Sequence, residues 1–267
     1  MNKKHGAWSK NEKIFLGLLA PILVLFFCFN TLPLIKGFYY GLTNFRGYGS
    51  YDFVGLRNFA EIFQDSRVGH SYLFTFKYAL VMTIVVNLLS LILALGLNSK
   101  IRGKNALRGI YFVPNILGGL VVGYIFSFIF TYILPTIGEV TGIDFLKTSL
   151  LGSTKWAWIA IVIVGAWQGI AMNTIIYISG LQTEACMLDG ASGWKKFKSI
   201  TLPLIMPFVT INLVLCMKNA LMVFDQIMSL TKGGPSQSTE SISYLIYNNG
   251  MSGGQFGFQS ANAFVFF

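Results

Sequence analysis

The chain has 267 residues, of which 54% are hydrophobic and only 11% are charged, and its formal net charge at pH 7 is +10. Soluble domains carry about 25% charged residues, so this composition excludes an ordinary soluble domain and indicates an all-α, polytopic membrane protein. In such a protein the positive charge is evidence about topology, and we expect no nucleic-acid partner.

Six apolar runs follow one another along the chain. Residues 1–13 form a basic N-terminal tail, and the first run, Ile14 to Ile35, is long enough to cross a bilayer as a helix. The next four runs are Tyr72 to Asn98, Gly109 to Leu134, Trp156 to Gln182 and Pro203 to Leu230. The sixth run, Gly257 to Phe267, would reach only ~16 Å as a helix, and we expect a longer final span.

Basic residues are concentrated on alternate connections between these runs. Four lysines lie in the N-terminal tail, four basic residues lie between the second and third runs, and lysines recur after the fourth run. The other connections are close to neutral. Because cytoplasmic loops carry the excess of Lys and Arg, the N-terminus and the segment after the fourth run are predicted to be cytoplasmic.

A charged, turn-bearing segment at about residues 183–202 separates the fourth and fifth runs. The Asp189-Gly190 pair is a strong turn signal that divides it into two short helical pieces. In the second piece Trp194 and Phe197 share one helical face, while the neighbouring lysines lie largely off it. From these residues alone, the segment is an amphipathic loop at a membrane surface.

The same segment resembles the EAA loop of permease subunits of ABC importers. The matching residues are Glu184, Ala185, Asp189, Gly190, Ala191, Phe197, Leu202 and Pro203, with Cys186 in place of the second alanine of the family pattern. The resemblance implies a coupling element that an ATPase subunit grips. In it Glu184 and Asp189 make polar contacts or cap short helices, Gly190 makes the turn, and Trp194 and Phe197 fill the ATPase cleft.

One departure from the family pattern lies just before this segment. Family members usually carry several more residues, often including Ile-Pro, between a Gly-Leu-Gln and the Glu-Ala, whereas here Gly180-Leu181-Gln182 is followed directly by Thr183 and Glu184. Either a stretch is missing from the numbering or the chain has a real deletion, which would shorten the helix that leads into the coupling element.

Three further stretches resemble the carbohydrate branch of these importers, on the side of the maltose-type "F" subunit and its glycerol-phosphate and raffinose-type relatives. They are Val54-Gly55-Leu56-Arg57-Asn58-Phe59, Thr231-Lys232-Gly233-Gly234-Pro235 and Phe256-Gly257-Phe258. The resemblance implies the type I importer permease fold, with six transmembrane helices and the last one truncated here. It also implies a permease domain over residues 14–267.

The resemblance further implies a set of partners in a bacterial cytoplasmic membrane. They are a second homologous permease subunit, two cytoplasmic ATPase subunits, an extracytoplasmic solute-binding protein, membrane lipid and a carbohydrate substrate. We expect no cofactor in this chain, because ATP and Mg²⁺ would be bound by the ATPase subunits.

The chain carries no recognisable enzyme motif. No Lys-Ser or Lys-Thr follows Gly233-Gly234 at the spacing of a phosphate-binding loop, and there is no His-Glu-x-x-His or Gly-x-Ser-x-Gly. The three cysteines, Cys28, Cys186 and Cys216, are scattered without metal or redox spacing. We therefore expect a transport subunit without ATPase activity of its own.

Polar residues inside the fourth and fifth runs are candidates for the substrate path. Amides donate hydrogen bonds to sugar hydroxyls and accept them, and aromatic rings stack on sugar faces. The family resemblance implies a sugar site at mid-membrane, and the predicted residues are Gln168, Gly169, Met172, Cys216 and Asn219. The alternative is that these small and polar residues only pack helices together.

The sequence does not settle the role of two charged residues near the end of the fifth run. Lys218 and Asp225 lie seven residues apart and would share a face of a continuous helix, with a separation of about 10 Å along its axis. They are the only support for an alternative function, a secondary transporter driven by an ion gradient. An importer for a non-sugar solute is a further alternative. Gly119 and Gly123 form a Gly-x-x-x-Gly pattern that predicts a close helix contact.

Overall fold

The computed structural model of the chain describes residues 10–98, 109, 112–185, 198 and 201–267. Within these ranges the chain is helical apart from its loops, and the only strand-like pairing is a single bridge between Thr43 and Phe53. In the described ranges five helices are long and apolar enough to cross a membrane, and we number them as the first to fifth spans. They are Ile14–Gly41, Ser66–Asn98, Gly119–Thr141, Ala157–Gln182 and Leu202–Leu221. The predicted all-α, polytopic fold is confirmed.

The first and third spans each contain a π-helical turn directly before a Leu-Pro pair. These turns are Phe27–Thr31 and Ile129–Ile133, and the α-helices that follow are Leu32–Gly41 and Leu134–Thr141. A proline removes one backbone donor and its ring crowds the preceding turn, and a wider π-helical turn accommodates both effects. The third span therefore continues through Pro135, and the end predicted at Leu134 is wrong.

Two other predicted boundaries also differ from the structure. Residues 112–116 are helical, but a bend at Leu117 and the extended backbone of Gly118 (φ −60°, ψ 139°) separate them from the third span, which begins at Gly119. The fifth span ends at Leu221, because the backbone leaves the helical conformation over residues 222–224. Lys218 and Asp225 therefore do not share a helix face, contrary to the sequence-based prediction.

The chain forms two compact units. The first comprises the residues up to Gln64 together with Ile246–Phe267, and the second comprises Asp65–Leu245. In the first unit the helix Phe256–Phe266 packs against the end of the first span. In the second unit the second span packs along the fourth and fifth spans.

Two of the sugar-branch stretches have structural roles in the first unit. Asn58 is buried, and its Nδ2 donates hydrogen bonds of 2.8 Å each to the carbonyl oxygens of Gly41 and Thr43. The backbone N–H of Gly257 donates to the carbonyl of Phe45 at 2.7 Å, and a Cβ at position 257 would overlap the carbonyl oxygen of Thr43. Both residues fasten the loop after the first span.

The second unit has a core of apolar and uncharged polar side chains. Tyr78, Val86 and Ile161 are almost completely buried where the second and fourth spans meet. Deeper in the bundle the Tyr177 hydroxyl donates to Asn87 Oδ1 at 2.8 Å, and Asn212 Nδ2 donates to the carbonyl of Asn173 at 3.1 Å. Apolar burial gives little driving force between helices in lipid, so close packing and such hydrogen bonds carry much of the association.

The Gly-x-x-x-Gly pattern lies at a close contact, as predicted. The third span packs against the short helix Asp225–Leu230, with Gly119 against the side chain of Asp225 and Gly123 against that of Ser229. A Cβ at position 123 would overlap Ser229 Oγ. Only glycine permits this approach of the two helices, and the short helix also contacts the fourth span.

Candidate functional site

A cavity of about 290 Å³ lies in the second unit between the second, fourth and fifth spans. Its wall also includes Asn115, Gly119 and Gln226, which the helix breaks before the third span and after the fifth span bring into place. The residues lining it are Tyr78, Met82, Val86, Asn115, Gly119, Gly165, Gln168, Gly169, Asn173, Cys216, Asn219, Ala220, Val223 and Gln226.

One side of the cavity is apolar and firmly packed. Tyr78, Met82 and Val86 recur every fourth residue along the second span, so they share one face, and all three are buried. The fourth span presents glycines to this face, and a Cβ at Gly165 would lie 2.7 Å from the Tyr78 hydroxyl oxygen. The result is a tightly packed, largely apolar wall that contains one phenolic hydroxyl.

The rest of the cavity is lined by five carboxamide side chains, which are those of Asn115, Gln168, Asn173, Asn219 and Gln226. Gln226 Nε2 donates to Gln168 Oε1 at 3.0 Å, which orients both groups across the space between the fourth span and the short helix. Asn173 Nδ2 donates to the carbonyl of Gly169 at 2.8 Å. Each carboxamide both donates and accepts hydrogen bonds, as a ligand rich in hydroxyl groups requires.

Charged side chains are absent from the cavity wall as far as the described part of the chain defines it. Lys218 precedes Asn219 on the fifth span, but its side chain is exposed and does not line the cavity. No ion pair joins Lys218 to Asp225, both of which lie within the described ranges. The described wall therefore combines five carboxamides, one thiol and one phenol with apolar side chains and glycines.

The structure brings together four of the five residues predicted for the substrate path. Gln168, Gly169, Cys216 and Asn219 line the cavity, whereas Met172 is 49% exposed and lies outside it. Their contact with a sugar stays a prediction. The face of the second span was missed because a buried apolar stripe also serves ordinary helix packing, and Gln226 was missed because the break after Leu221 carries no glycine or proline.

The predicted coupling segment falls mostly outside the described residues. Glu184 and Ala185 end the long helix Ala157–Ala185, which extends the fourth span past Gln182. Asp189, Gly190, Ala191, Trp194 and Phe197 lie outside the described ranges. Their roles in coupling stay predictions.

The loop that contains Thr231-Lys232-Gly233-Gly234-Pro235 is held by polar contacts within the second unit. Thr239 Oγ1 donates to the carbonyl of Gly234 at 2.6 Å, which closes the loop on itself. Glu240 accepts two hydrogen bonds of 2.8 Å from Arg67 at the start of the second span. Next to it, Ser241 Oγ donates to the carbonyl of Val223 at 2.9 Å. Because Val223 lines the cavity, this loop supports the cavity wall.

Comparison with known proteins identifies a family and a shared fold. The family model described as "binding-protein-dependent transport system inner membrane component" matches residues 86–267, more than half of the chain. The chain is 38% identical over 259 residues to the multiple sugar-binding transport system permease protein MsmF of Streptococcus mutans, which covers 94% of this chain and 88% of that protein.

A second relative and a solved structure support the same family and the same fold, respectively. The chain is 33% identical over 270 residues to the probable starch degradation products transport system permease protein AmyD of Thermoanaerobacterium thermosulfurigenes, covering 99% and 92% of the two chains. A bacterial alginate ABC transporter, crystallised with its alginate pentasaccharide-bound periplasmic protein, contains a chain of the same fold. It superposes with a TM-score of 0.80 at 20% identity, over 96% of this chain and 89% of that chain.

Proposed function

Because the chain belongs to the family of binding-protein-dependent transport system inner membrane components, we propose that it is a permease subunit of an ATP-driven importer for an oligosaccharide. The family makes it a multi-pass membrane transport component. The choice of an oligosaccharide rests on the amide-lined cavity, together with the names of its relatives MsmF and AmyD, which are permeases for multiple sugars and starch degradation products.

The cavity is the observation that carries this proposal. A neutral sugar offers many hydroxyl groups and flat apolar ring faces, and it needs both to be matched if it is to leave water. The carboxamides of Gln168, Asn219 and Gln226 supply the hydrogen bonds, and the side of the cavity formed by the second span supplies an apolar wall. Its volume of about 290 Å³ suits one or two sugar rings at a time.

Energy for transport comes from partners in this proposal. Two cytoplasmic ATPase subunits grip the coupling segment of this chain and that of a second, homologous permease. When ATP draws the ATPases together, the two segments follow, and the spans rock so that the cavity opens toward the extracytoplasmic side. An extracytoplasmic binding protein delivers the sugar there. The excess of basic residues in the N-terminal tail supports a cytoplasmic N-terminus.

The alternative of an ion-gradient-driven transporter loses its structural support. It required two ionisable groups placed together within a span, and Lys218 and Asp225 were the candidates. Asp225 follows the break at residues 222–224, outside the five candidate spans, and Lys218 is exposed.

The test is uptake by the assembled transporter, purified with its co-expressed partners and reconstituted into liposomes with its binding protein. We expect uptake of radiolabelled maltotriose or raffinose that requires ATP inside the liposome. Gly190→Asp should abolish uptake while the chain still inserts into the membrane. The matched control is Gly152→Asp, which should transport normally, because Gly152 is exposed at the end of a short 3-10 helix and an added Cβ would meet no other part of the chain. ATP-independent uptake driven by an ion gradient would contradict the proposal.

A further inference from the structure

We infer that Asp225 makes the cavity select uncharged sugars and reject anionic ones, such as uronic acids and sugar phosphates. This inference rests on the proposed function and concerns the same cavity. It assigns a specificity role to Asp225, whose role the sequence left open and which does not share a helix face with Lys218 as the sequence predicted.

The position of the Asp225 carboxylate is set by the close contact between the third span and the short helix. A Cβ at Gly119 would lie 2.6 Å from Asp225 Oδ2, so this oxygen packs directly on the glycine. Gly119 belongs to the cavity wall, and so does Gln226, the next residue after Asp225. Asp225 does not line the cavity itself, but it contacts one wall residue and directly precedes another in the chain.

No positive charge offsets this carboxylate at the cavity, judged from the residues the structure describes. Asp225 makes none of the three ion pairs found there, and the groups around the cavity are carboxamides, one phenol, a thiol and apolar side chains. Lys218 and Lys232 are equally near to Asp225 along the chain, on either side of it, and both side chains are exposed. An uncompensated negative charge beside the cavity repels an anionic ligand and not a neutral one, and the repulsion grows as the ligand displaces water.

The same geometry explains why neutral ligands remain acceptable. Asp225 does not line the cavity, whereas Asn115 and Gln226 do, so the hydroxyl groups of a bound sugar would contact these amides and not the carboxylate. Anion sites in proteins use Arg, Lys or clustered backbone N–H groups, and the described wall contains none of the basic side chains. Discrimination therefore follows from a repulsive element combined with the lack of an attractive one.

The experiment measures binding to the assembled transporter in detergent by isothermal titration calorimetry. The probes are maltotriose and raffinose, each compared with the derivative in which one C6 hydroxymethyl group is oxidised to a carboxylate. The variants are Asp225→Asn, which removes the charge, and Asp225→Glu, which retains it. Glu139→Gln is the matched control, because Glu139 is exposed in the same unit and does not line the cavity.

The unmodified transporter should bind at least one neutral trisaccharide roughly tenfold more tightly than its carboxylate derivative. Asp225→Asn should narrow that ratio by about three- to tenfold with little change for the neutral sugar, whereas Asp225→Glu and Glu139→Gln should preserve it. If the unmodified transporter binds the neutral sugar and its carboxylate derivative equally, the inference about Asp225 is overturned and the proposed function is not. The same holds if a well-folded Asp225→Asn variant keeps the affinity ratio of the unmodified transporter. Binding of neither neutral sugar would overturn the proposed function, and this inference with it.

Discussion

Arg67 and Glu240, which lie 173 positions apart in the chain, form a bidentate ion pair. Arg67 Nε donates to Glu240 Oε2 and Arg67 Nη2 donates to Glu240 Oε1, both at 2.8 Å. The Glu240 side chain is 3% exposed and that of Arg67 is 34% exposed. The pair fixes the loop after the short helix Asp225–Leu230 to the start of the second span, and through Ser241 it supports Val223 in the cavity wall.

The unequal burial of these two residues predicts unequal effects of removing them. Arg67→Gln leaves a buried carboxylate without its partner and should reduce the free energy of unfolding by about 3 kcal/mol. Glu240→Gln leaves a guanidinium that can still reach water, so we expect a loss of about 1 kcal/mol. SDS titration of the purified chain measures both. Arg57→Gln, in the exposed pair with Glu61, is the control and should change stability by less than about 0.5 kcal/mol. Equal losses for Arg67→Gln and Glu240→Gln would show that burial does not set the cost.

Gly123→Ala should destabilise the second unit, because the added methyl group would occupy the space of Ser229 Oγ. Overpacking of this kind costs about 1–3 kcal/mol. The double variant Gly123→Ala with Ser229→Gly frees that space and should recover most of the loss. Gly118→Ala is the control, since no atom lies near the added methyl group and its backbone is extended. Thermal unfolding in detergent is the measurement, and a Gly123→Ala variant as stable as Gly118→Ala would contradict the packing we describe.

Even an isosteric substitution of Asn58 should destabilise the first unit. Asn58→Asp keeps the shape but cannot donate hydrogen bonds, so the carbonyls of Gly41 and Thr43 lose their donor and face a buried carboxylate. We expect the first unit to lose about 2 kcal/mol or more and the loop after the first span to become sensitive to trypsin at Arg46. Gln64→Glu, the same exchange of amide for carboxylate, is the control, because Gln64 is exposed in the same unit. If both variants resist trypsin equally, Asn58 does not hold this loop.

Substitution of cavity residues should weaken sugar binding, whereas substitution of an exposed neighbour should not. Gln168→Ala and Asn219→Ala each remove a carboxamide from the wall, and we expect the dissociation constant for maltotriose or raffinose to rise about five- to tenfold. Met172→Ala changes a side chain outside the cavity on the same span as Gln168 and should leave the constant within about twofold. Calorimetric titration of the assembled transporter tests this, and a larger effect for Met172→Ala would place the sugar elsewhere.

Much of the fold could be predicted from the sequence, because a bilayer imposes length and apolarity on every crossing helix. The ends of the individual spans were harder to predict. A π-helical turn lets the third span continue through Pro135, and the break after Leu221 has no proline or glycine to mark it. The Gly119 and Gly123 contact was predictable from spacing, but its partner, the short helix Asp225–Leu230, was not.

The candidate site was predictable where its residues are polar and lie within an apolar run. Gln168 and Asn219 stand out for that reason, and both line the cavity. Tyr78, Met82 and Val86 carry no such signal, because an apolar stripe at helical spacing is also the mark of ordinary packing. The role we propose for Asp225 depends on its contact with Gly119, which lies about a hundred positions earlier in the chain and could not be predicted from the sequence.

The central claim, that the cavity holds the transported sugar, is tested most directly through Cys216, a cavity-lining residue that is 7% exposed. In the assembled transporter with Cys28→Ser and Cys186→Ser, the rate at which N-ethylmaleimide modifies Cys216 is measured with and without the sugar that the transporter imports. We predict that a saturating concentration of this sugar slows the modification severalfold. An unchanged rate in a transporter that still imports the sugar would show that the sugar does not occupy this cavity.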